Sequence, residues 1–217
     1  MKHKTIGLIS IFIFLISLMS CNTDATVLLD SSLQAIPANS KSVFKRLCYI
    51  NDASNFKELS DLSNYIIVGT LQDDAKQKLY YADSKIEYQA LYGVTVSSFR
   101  IYKVFKGNLK EGETIKIAET YFTQENNGDM IQYLMDYGPS EPNREYVFFL
   151  NKEDDKNEFL EGYFSPSIRE KGRYPVLNKP LFEEVTSQDI QDLKLVSVTE
   201  NEYLSLLKEV RAFLNVH

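Results

Sequence analysis

Two histidines and two cysteines are all the imidazole and thiol in this 217-residue chain. His3 lies near the start and His217 is the last residue, so the body between them has no imidazole. That excludes Ser-His-Asp and Cys-His nucleophilic systems, together with zinc sites of the His or paired-Cys type. Oxygen and amine chemistry remains. Glu153, Asp154 and Asp155, flanked by Asn151 and Asn157, offer oxygen ligands but lack the glycine and spacing of a calcium-binding EF-hand loop. We read them as a solvated charge run protecting a strand edge, and Asp73-Asp74 as a solvated turn. The segment "GYFSPSIREKGRYP" brings Ser165 and Ser167 close in sequence to Arg169, Lys171 and Arg173. A Ser-Lys nucleophile needs a desolvated lysine beside the serine. These cations are expected in water, so no catalytic residue, metal ligand or cofactor is assigned. Tyr80, Tyr81, Tyr88 and Tyr92, near Lys78 and Lys85, are the candidate binding residues. Tyrosine gives large contact area at low entropic cost. The set either forms a recognition surface or covers the core of a long hairpin.

The elements that would hold these residues can be read from periodicity. Asn55 and Glu58 have capping-box spacing, with Phe56, Leu59 and Leu62 following at helical intervals, which predicts a short helix ending near Ser63-Asn64. "YIIVGTL" (65–71) reads as a buried strand. The polar, tyrosine-rich stretch after it reads as a long hairpin or mobile loop. In "TVSSFRIYKVF" (95–105), Phe99, Ile101 and Phe105 share one face, and Ser98, Arg100, Tyr102 and Val104 the other. "KGNLKEG" supplies turn chemistry through Gly107-Asn108 and Gly112, and "ETIKIAET" returns with Ile115 and Ile117 inward. An irregular stretch follows. "NREYVFFLN" and "EFLEGYFS" then read as strands flanking the charged loop "KEDDKN". "GRYPVL" reads as an edge strand, since Pro175 cannot donate to a ladder. Thr199 and Glu202 make a second capping box. Tyr203, Leu206, Leu207, Val210, Phe213 and Leu214 put one apolar stripe on a closing helix that must be buried against a sheet or barrel mouth.

The N-terminus carries its own pattern. Lys2 and Lys4 precede an apolar run from Ile6 to Leu18, about 13 residues against the roughly 20 needed to span a bilayer. Leu18-Met19-Ser20-Cys21 follows, then the polar Asn22, Thr23 and Asp24. The motif resembles the lipobox of bacterial lipoproteins, although Met at its second position is an uncommon choice. The resemblance implies that the Cys21 thiol takes a diacylglyceryl group and that Cys21 begins the mature chain. An uncleaved transmembrane anchor is the weaker reading, because the run is short and no positive stop-transfer flank follows it. Two or more acyl chains at roughly 0.8 kcal/mol per buried CH₂ hold a protein stably on a membrane. With Cys21 lipidated, Cys48 in "FKRLCYI" has no intrachain disulfide partner and reads as a small buried hydrophobe. Loss of Lys2 and Lys4 leaves 22 basic against 30 acidic side chains, a net charge of −8. That balance argues against nucleic acid and against direct adsorption on anionic headgroups. Attachment to the membrane would rest on the lipid.

The series "ELSDLSN", "YIIVGTL", "FRIYKVFKG", "TIKIAE" and "REYVFFL" resembles the netrin-like and tissue-inhibitor-of-metalloproteinase pattern, over roughly residues 55–165. "VFKG" and "EYVFFL" are its sharpest pieces. The resemblance implies an OB-type five-stranded barrel. Members that inhibit metalloproteases do so through disulfides and a free N-terminal cysteine amine. This chain offers neither, so that mechanism passes to no residue here. The expected organisation is a signal peptide over 1–20, a lipid-anchored tether over 21–40 reaching about 20–30 Å, and a mainly β, OB-like barrel domain over 41–217 with a short N-terminal and an amphipathic C-terminal helix. The expected function is a non-catalytic binding module on the outer face of the cell membrane. Its partner would be an envelope protein or extracellular ligand. A carboxylate-dependent envelope hydrolase and a purely structural envelope protein are the alternatives. Two facing carboxyls in a cleft, one of them buried, would favour the hydrolase; carboxylates confined to loop tips would favour binding.

Overall fold

A computed structural model describes residues 33–36, 42–46 (backbone only), 52–81, 90–154, 156–180 and 182–216. Cys21, Cys48, Tyr88 and Asp155 lie outside the described residues. In chain order the strands are β1 (Gln34–Ala35), β2 (Ser42–Arg46), β3 (Tyr65–Leu71), β4 (Lys76–Tyr80), β5 (Tyr92–Lys106), β6 (Thr114–Glu119), β7 (Tyr121–Asn126), β8 (Asp129–Met135), β9 (Glu145–Lys152), β10 (Phe164–Pro166) and β11 (Arg173–Pro175). The helices are α1 (Phe56–Asp61) before β3 and α2 (Glu200–Val216) at the end, with a 3-10 turn at Arg169–Gly172.

Five strands close on themselves. β3 pairs antiparallel with β5 and β9, β5 with β6, and β9 with β10, while β10 lies parallel to β6 through Phe164 against Ile117. Around the barrel the five run first, second, third, fifth, fourth in chain order, an OB-like closure that leaves no open edge between them. β5 is long enough, at 15 residues, to serve three neighbours: Tyr92–Val96 on β4, Thr95–Arg100 on β6 and Phe99–Lys106 on β3. Two register shifts against β3 interrupt the simple alternation expected for its second half. Both Val104 and Phe105 consequently pack against the core.

The barrel strands explain their own sequence. β9 is buried from Tyr146 to Leu150, on both faces. Phe148 meets Phe99 edge-on at 5.0 Å, opposite Ile67. The neighbouring Phe149 meets Phe56 of α1 at 5.9 Å and Tyr174 of β11 at 5.9 Å. α2 covers that second side with Tyr203, Leu206, Leu207 and Val210, all at 1 % exposure or less. Tyr203 stacks on Tyr174 at 4.9 Å, and Phe213 reaches Phe56 at 4.7 Å. A strand covered on both faces reads as a continuous apolar run, which accounts for "YVFFL".

Both predicted caps form, one with altered geometry. Asn55 accepts from the Glu58 N–H at 3.0 Å, but the Glu58 carboxylate turns to the Ser54 N–H and hydroxyl. At α2, Thr199 and Glu202 bond reciprocally. Gly107 takes φ +100 at the end of β5, where a Cβ would stand 2.3 Å from the Tyr65 ring.

Three expectations need correction. The stretch read as irregular contains the β7–β8 hairpin, turned at Asn127-Gly128 with φ of 53 and 84, and β2 joins it in parallel as a separate three-stranded sheet. "EFLEGYFS" is not a continuous strand: Phe159 and Leu160 belong to a turn packed under Val94, Val96 and Ala118, and pairing begins only at Phe164. Within the segment read as tether, Gln34 and Ala35 pair with Gln77 and Lys76, extending the sheet beyond β4.

Candidate functional site

The segment "SPSIREKGR", expected in water, is largely drawn into the protein. Lys171 is 7 % exposed and Arg173 is fully buried. The Lys171 ammonium donates to Asp52 Oδ1 at 2.5 Å and to the Ala53 carbonyl at 3.1 Å, so it ties the residues before α1 to the barrel. Among the described residues it donates to no serine hydroxyl. Ser167 instead shares a 2.6 Å hydrogen bond with Ser63. These contacts give Lys171 a structural job in place of the Ser-Lys chemistry considered from sequence.

Arg173 and Glu119 form a fully buried pair, 3.7 Å apart. The guanidinium donates to the Gly138 carbonyl at 2.8 Å and to Ser140 Oγ at 2.7 Å, and the Ser140 hydroxyl donates to Glu119. Arg173 also lies 4.6 Å over the Tyr137 ring. Burial pushes the Glu119 carboxyl above its usual range, opposed by Arg173 and by the Ser140 hydrogen bond. Glu170, also fully buried, accepts from the N–H groups of Gly138, Val196, Ser197 and Val198. Buried carboxylates therefore exist, contrary to carboxylates confined to loop tips. Glu170 is committed to its backbone donors, whereas Glu119 meets Arg173 and Ser140 through Oε1 and its Oε2 has no hydrogen-bond partner among the described residues.

Beside this hub opens a cavity of about 260 Å³. Ser165 and Pro166 come from β10, Glu153 and Leu160 from the β9–β10 connection, and Tyr92 from the start of β5. Thr120 and Tyr137 also line it, and Arg169 completes it from the 3-10 turn. OB-type barrels bind ligands on the face of their second and third strands, between the first-to-second and fourth-to-fifth loops. Tyr92 begins the second barrel strand, Thr120 follows the third and Glu153 and Leu160 belong to the fourth-to-fifth loop, so the cavity borders that position at its loop end. Tyr137 is 1 % exposed, and its hydroxyl has no hydrogen-bond partner of ordinary geometry among the described residues.

Arg169 is the unusual member. It holds φ +50, a left-handed conformation costly for a side chain of its size. Its Nη1 donates to Thr120 Oγ1 and to the Met135 carbonyl, each at 3.1 Å. Both acceptors are neutral. Among the described residues no carboxylate forms an ion pair with it.

The tyrosines divide. Tyr80 and Tyr92 sit opposite each other across β4 and β5, half-buried, and both meet Phe159 edge-on, at 5.8 and 5.5 Å. Tyr81 packs with Leu79, Ala90, Phe122 and Met135. Lys78 lies over Phe159 and Tyr163, and burial lowers its ammonium pKa. Tyr80 and Tyr81 thus cover the hairpin core, and Tyr92 alone among the described tyrosines of the set also lines the cavity. A wider recess lies at Gln72, Asp74, Ser98 and Arg100, but there Asp74 is occupied by the Ser98 N–H and hydroxyl and by Lys116 at 3.0 Å. In the acidic loop, Asn151 binds the Asn64 N–H and Leu62 carbonyl, and Asp154 accepts from the Lys156 N–H. Among the described residues, no group of three or more His, Cys, Asp or Glu side chains is placed to hold a metal ion.

Glu119, Thr120 and Tyr137 were not singled out from sequence. Glu119 had a signal, since Ile115 and Ile117 put it on the inward face by alternation. Tyr137 follows no periodic segment and had none. No family model, curated protein or solved structure matches this chain.

Proposed function

We propose that this chain is a lipid-anchored extracytoplasmic protein whose OB-like barrel is a ligand-binding module and not an enzyme. The anchoring half rests on Lys2 and Lys4, the Ile6–Leu18 run and Leu18-Met19-Ser20-Cys21. Kinship with netrin-like proteins rests on "VFKG" and "EYVFFL" and belongs to the same proposal. Among the described residues no helix is long and apolar enough to cross a membrane.

The binding half is carried by one observation. Among the described residues Arg169, half-buried in the cavity wall, is held only by neutral oxygens. A cation withdrawn from water without a counter-charge is costly unless something supplies one. A hydrolase reading would need two carboxyls facing a common cleft. Here Glu153 is the sole carboxylate of the cavity lining among the described residues, while Glu119 and Glu170 lie buried outside that lining, Glu119 against Arg173 and Ser140 and Glu170 on backbone N–H groups.

The test is affinity capture from detergent-solubilised membranes, with the full lipidated chain as bait and Arg169→Gln as control. The expected result is a ligand or partner retained by the unaltered chain and reduced by the substitution. Recovery of no partner, together with glycan turnover by the purified chain, would overturn the binding reading.

A further inference from the structure

The cavity holds two opposite charges that do not meet. Arg169 and Glu153 both line it, both are half-buried, and neither takes part in an ion pair among the described residues. Arg169 spends Nη1 on Thr120 and the Met135 carbonyl; Nη2 and Nε make no hydrogen bond with the described residues. The Glu153 carboxylate accepts only one long bond, from the Asn157 amide at 3.5 Å, while its backbone N–H is fixed to the Tyr163 carbonyl at 3.0 Å. Its backbone is pinned and its charge is left over.

Had the two side chains been needed for the fold alone, contact between them would have neutralised both. They stand instead on separate elements, the 3-10 turn and the β9–β10 connection, with Tyr92, Leu160 and Pro166 lining the space as well. A ligand that satisfies all three features carries a negative end, a positive end and an apolar group. At about 260 Å³ the cavity falls just below the 300–1,000 Å³ of sites for drug-sized ligands, which sets the scale of the occupant.

On the premise that the barrel is a binding module, we propose that this cavity takes a small zwitterion, a free apolar amino acid or dipeptide. Its carboxylate lies on Arg169, its ammonium at Glu153, and its side chain against Tyr92, Leu160 and Pro166. The guanidinium fork suits a planar carboxylate, and Thr120 with the Met135 carbonyl engages Nη1 alone, which leaves Nη2 and Nε for an incoming anion. Glu153 supplies the discrimination. A plain carboxylate would leave it unpaired, and so would a peptide whose amine is acylated.

Calorimetric titration of the full lipidated chain in detergent decides this, with L-leucine, leucyl-leucine, N-acetyl-leucine and leucinamide as probes. Leucine or leucyl-leucine is expected to bind, and the two singly charged analogues to bind about tenfold more weakly or worse, the loss of one charge-assisted contact each. Glu153→Gln should bring leucine down to the level of N-acetyl-leucine, and Arg169→Gln should bring it down to that of leucinamide. This crossed pattern separates ligand contact from damage to the fold, and Glu153, with only its long side-chain bond to Asn157, is the variant least able to disturb the structure. N-acetyl-leucine or leucinamide binding as well as leucine would overturn the proposal, and so would no binding by any probe. Capture of a partner that is indifferent to both substitutions would overturn this site while leaving the binding-module reading standing.

Discussion

Arg173 and Glu119 show how a residue that looks like surface charge in a sequence becomes a structural centre. "EKGR" follows "SPSI" with no periodicity, and nothing in that run announces that its last cation will be fully buried. It is buried because the loops at Gly138–Ser140 and Leu193 have backbone carbonyls and a hydroxyl to satisfy, and one guanidinium reaches Gly138, Ser140 and Leu193. Removing one partner of such a pair leaves a buried charge uncompensated. Arg173→Met is expected to destabilise the fold by about 3–5 kcal/mol. Adding Glu119→Leu to it should recover much of the loss, measured as paired urea melts. The pair also sets a pH dependence. Burial raises the folded-state pKa of Glu119 above its unfolded value. The folded state therefore binds more protons than the unfolded one as pH rises through that interval. Its contribution is fully present below about 4.5 and declines as pH climbs toward the folded-state value. Melts across pH 4 to 8 should show this decline in the unaltered chain and a flatter profile for Glu119→Gln. An unchanged profile would contradict the assignment. Asp189 gives the opposite slope. Burial raises its pKa, but Lys179 at 2.6 Å and the Thr186 N–H and hydroxyl outweigh burial and lower it. Its contribution is present above its unfolded value and is lost as pH falls through the folded one.

Elements were legible where one face dominated. β3 spans the residues read as "YIIVGTL", and α2 begins at the Thr199–Glu202 capping box, because an apolar face and a cap act locally. Thr199→Ala should cost about 1 kcal/mol through the lost cap. Leu207→Ala, at a fully buried position of the stripe, should cost about 2–5 kcal/mol. The contrast between the two tests whether α2 is held mainly by packing. Gly69→Ala is expected to prevent folding or rearrange the β3–β5 pairing, since a Cβ there would stand 2.0 Å from the Arg100 carbonyl oxygen. Retention of a normal melt would contradict this register. Other elements were hidden. Asn127-Gly128 is a strong hairpin dipeptide, but its flanking strands carry Thr123, Gln124 and Gln132 in place of strict apolar alternation. "EFLEGYFS" misleads in the other direction. Phe159 and Leu160 look like strand residues because they are buried, yet they are buried as a turn beneath Tyr80 and Tyr92.

At the scale of the molecule the closed barrel was legible from strand order, and the cavity beside it was not. Its lining residues span Tyr92 to Arg169 in sequence, and only closure through Phe164 and Ile117 brings them together. Tyr92, Ser165, Arg169 and Glu153 had each been considered, in separate groups and for different chemistry. The proposed anchor belongs to this scale too. Gln34, paired with Gln77, stands thirteen residues beyond Cys21. At roughly 3.5 Å per residue the intervening chain spans at most about 45 Å, so a lipid on Cys21 would hold the β1 and β4 edge within that distance of the bilayer. A chain beginning at Asn22, with neither leader nor Cys21, is expected to enter the aqueous phase on Triton X-114 partition where the full chain from membranes enters the detergent-rich phase, with the same thermal melt. The most direct test of the account is the intact mass of the chain extracted from its own membranes. The account predicts a polypeptide beginning at Cys21, heavier than residues 21–217 by a thioether-linked diacylglyceryl group. A chain that retains Met1–Ser20, or one whose Cys21 thiol is still free to react, would contradict it.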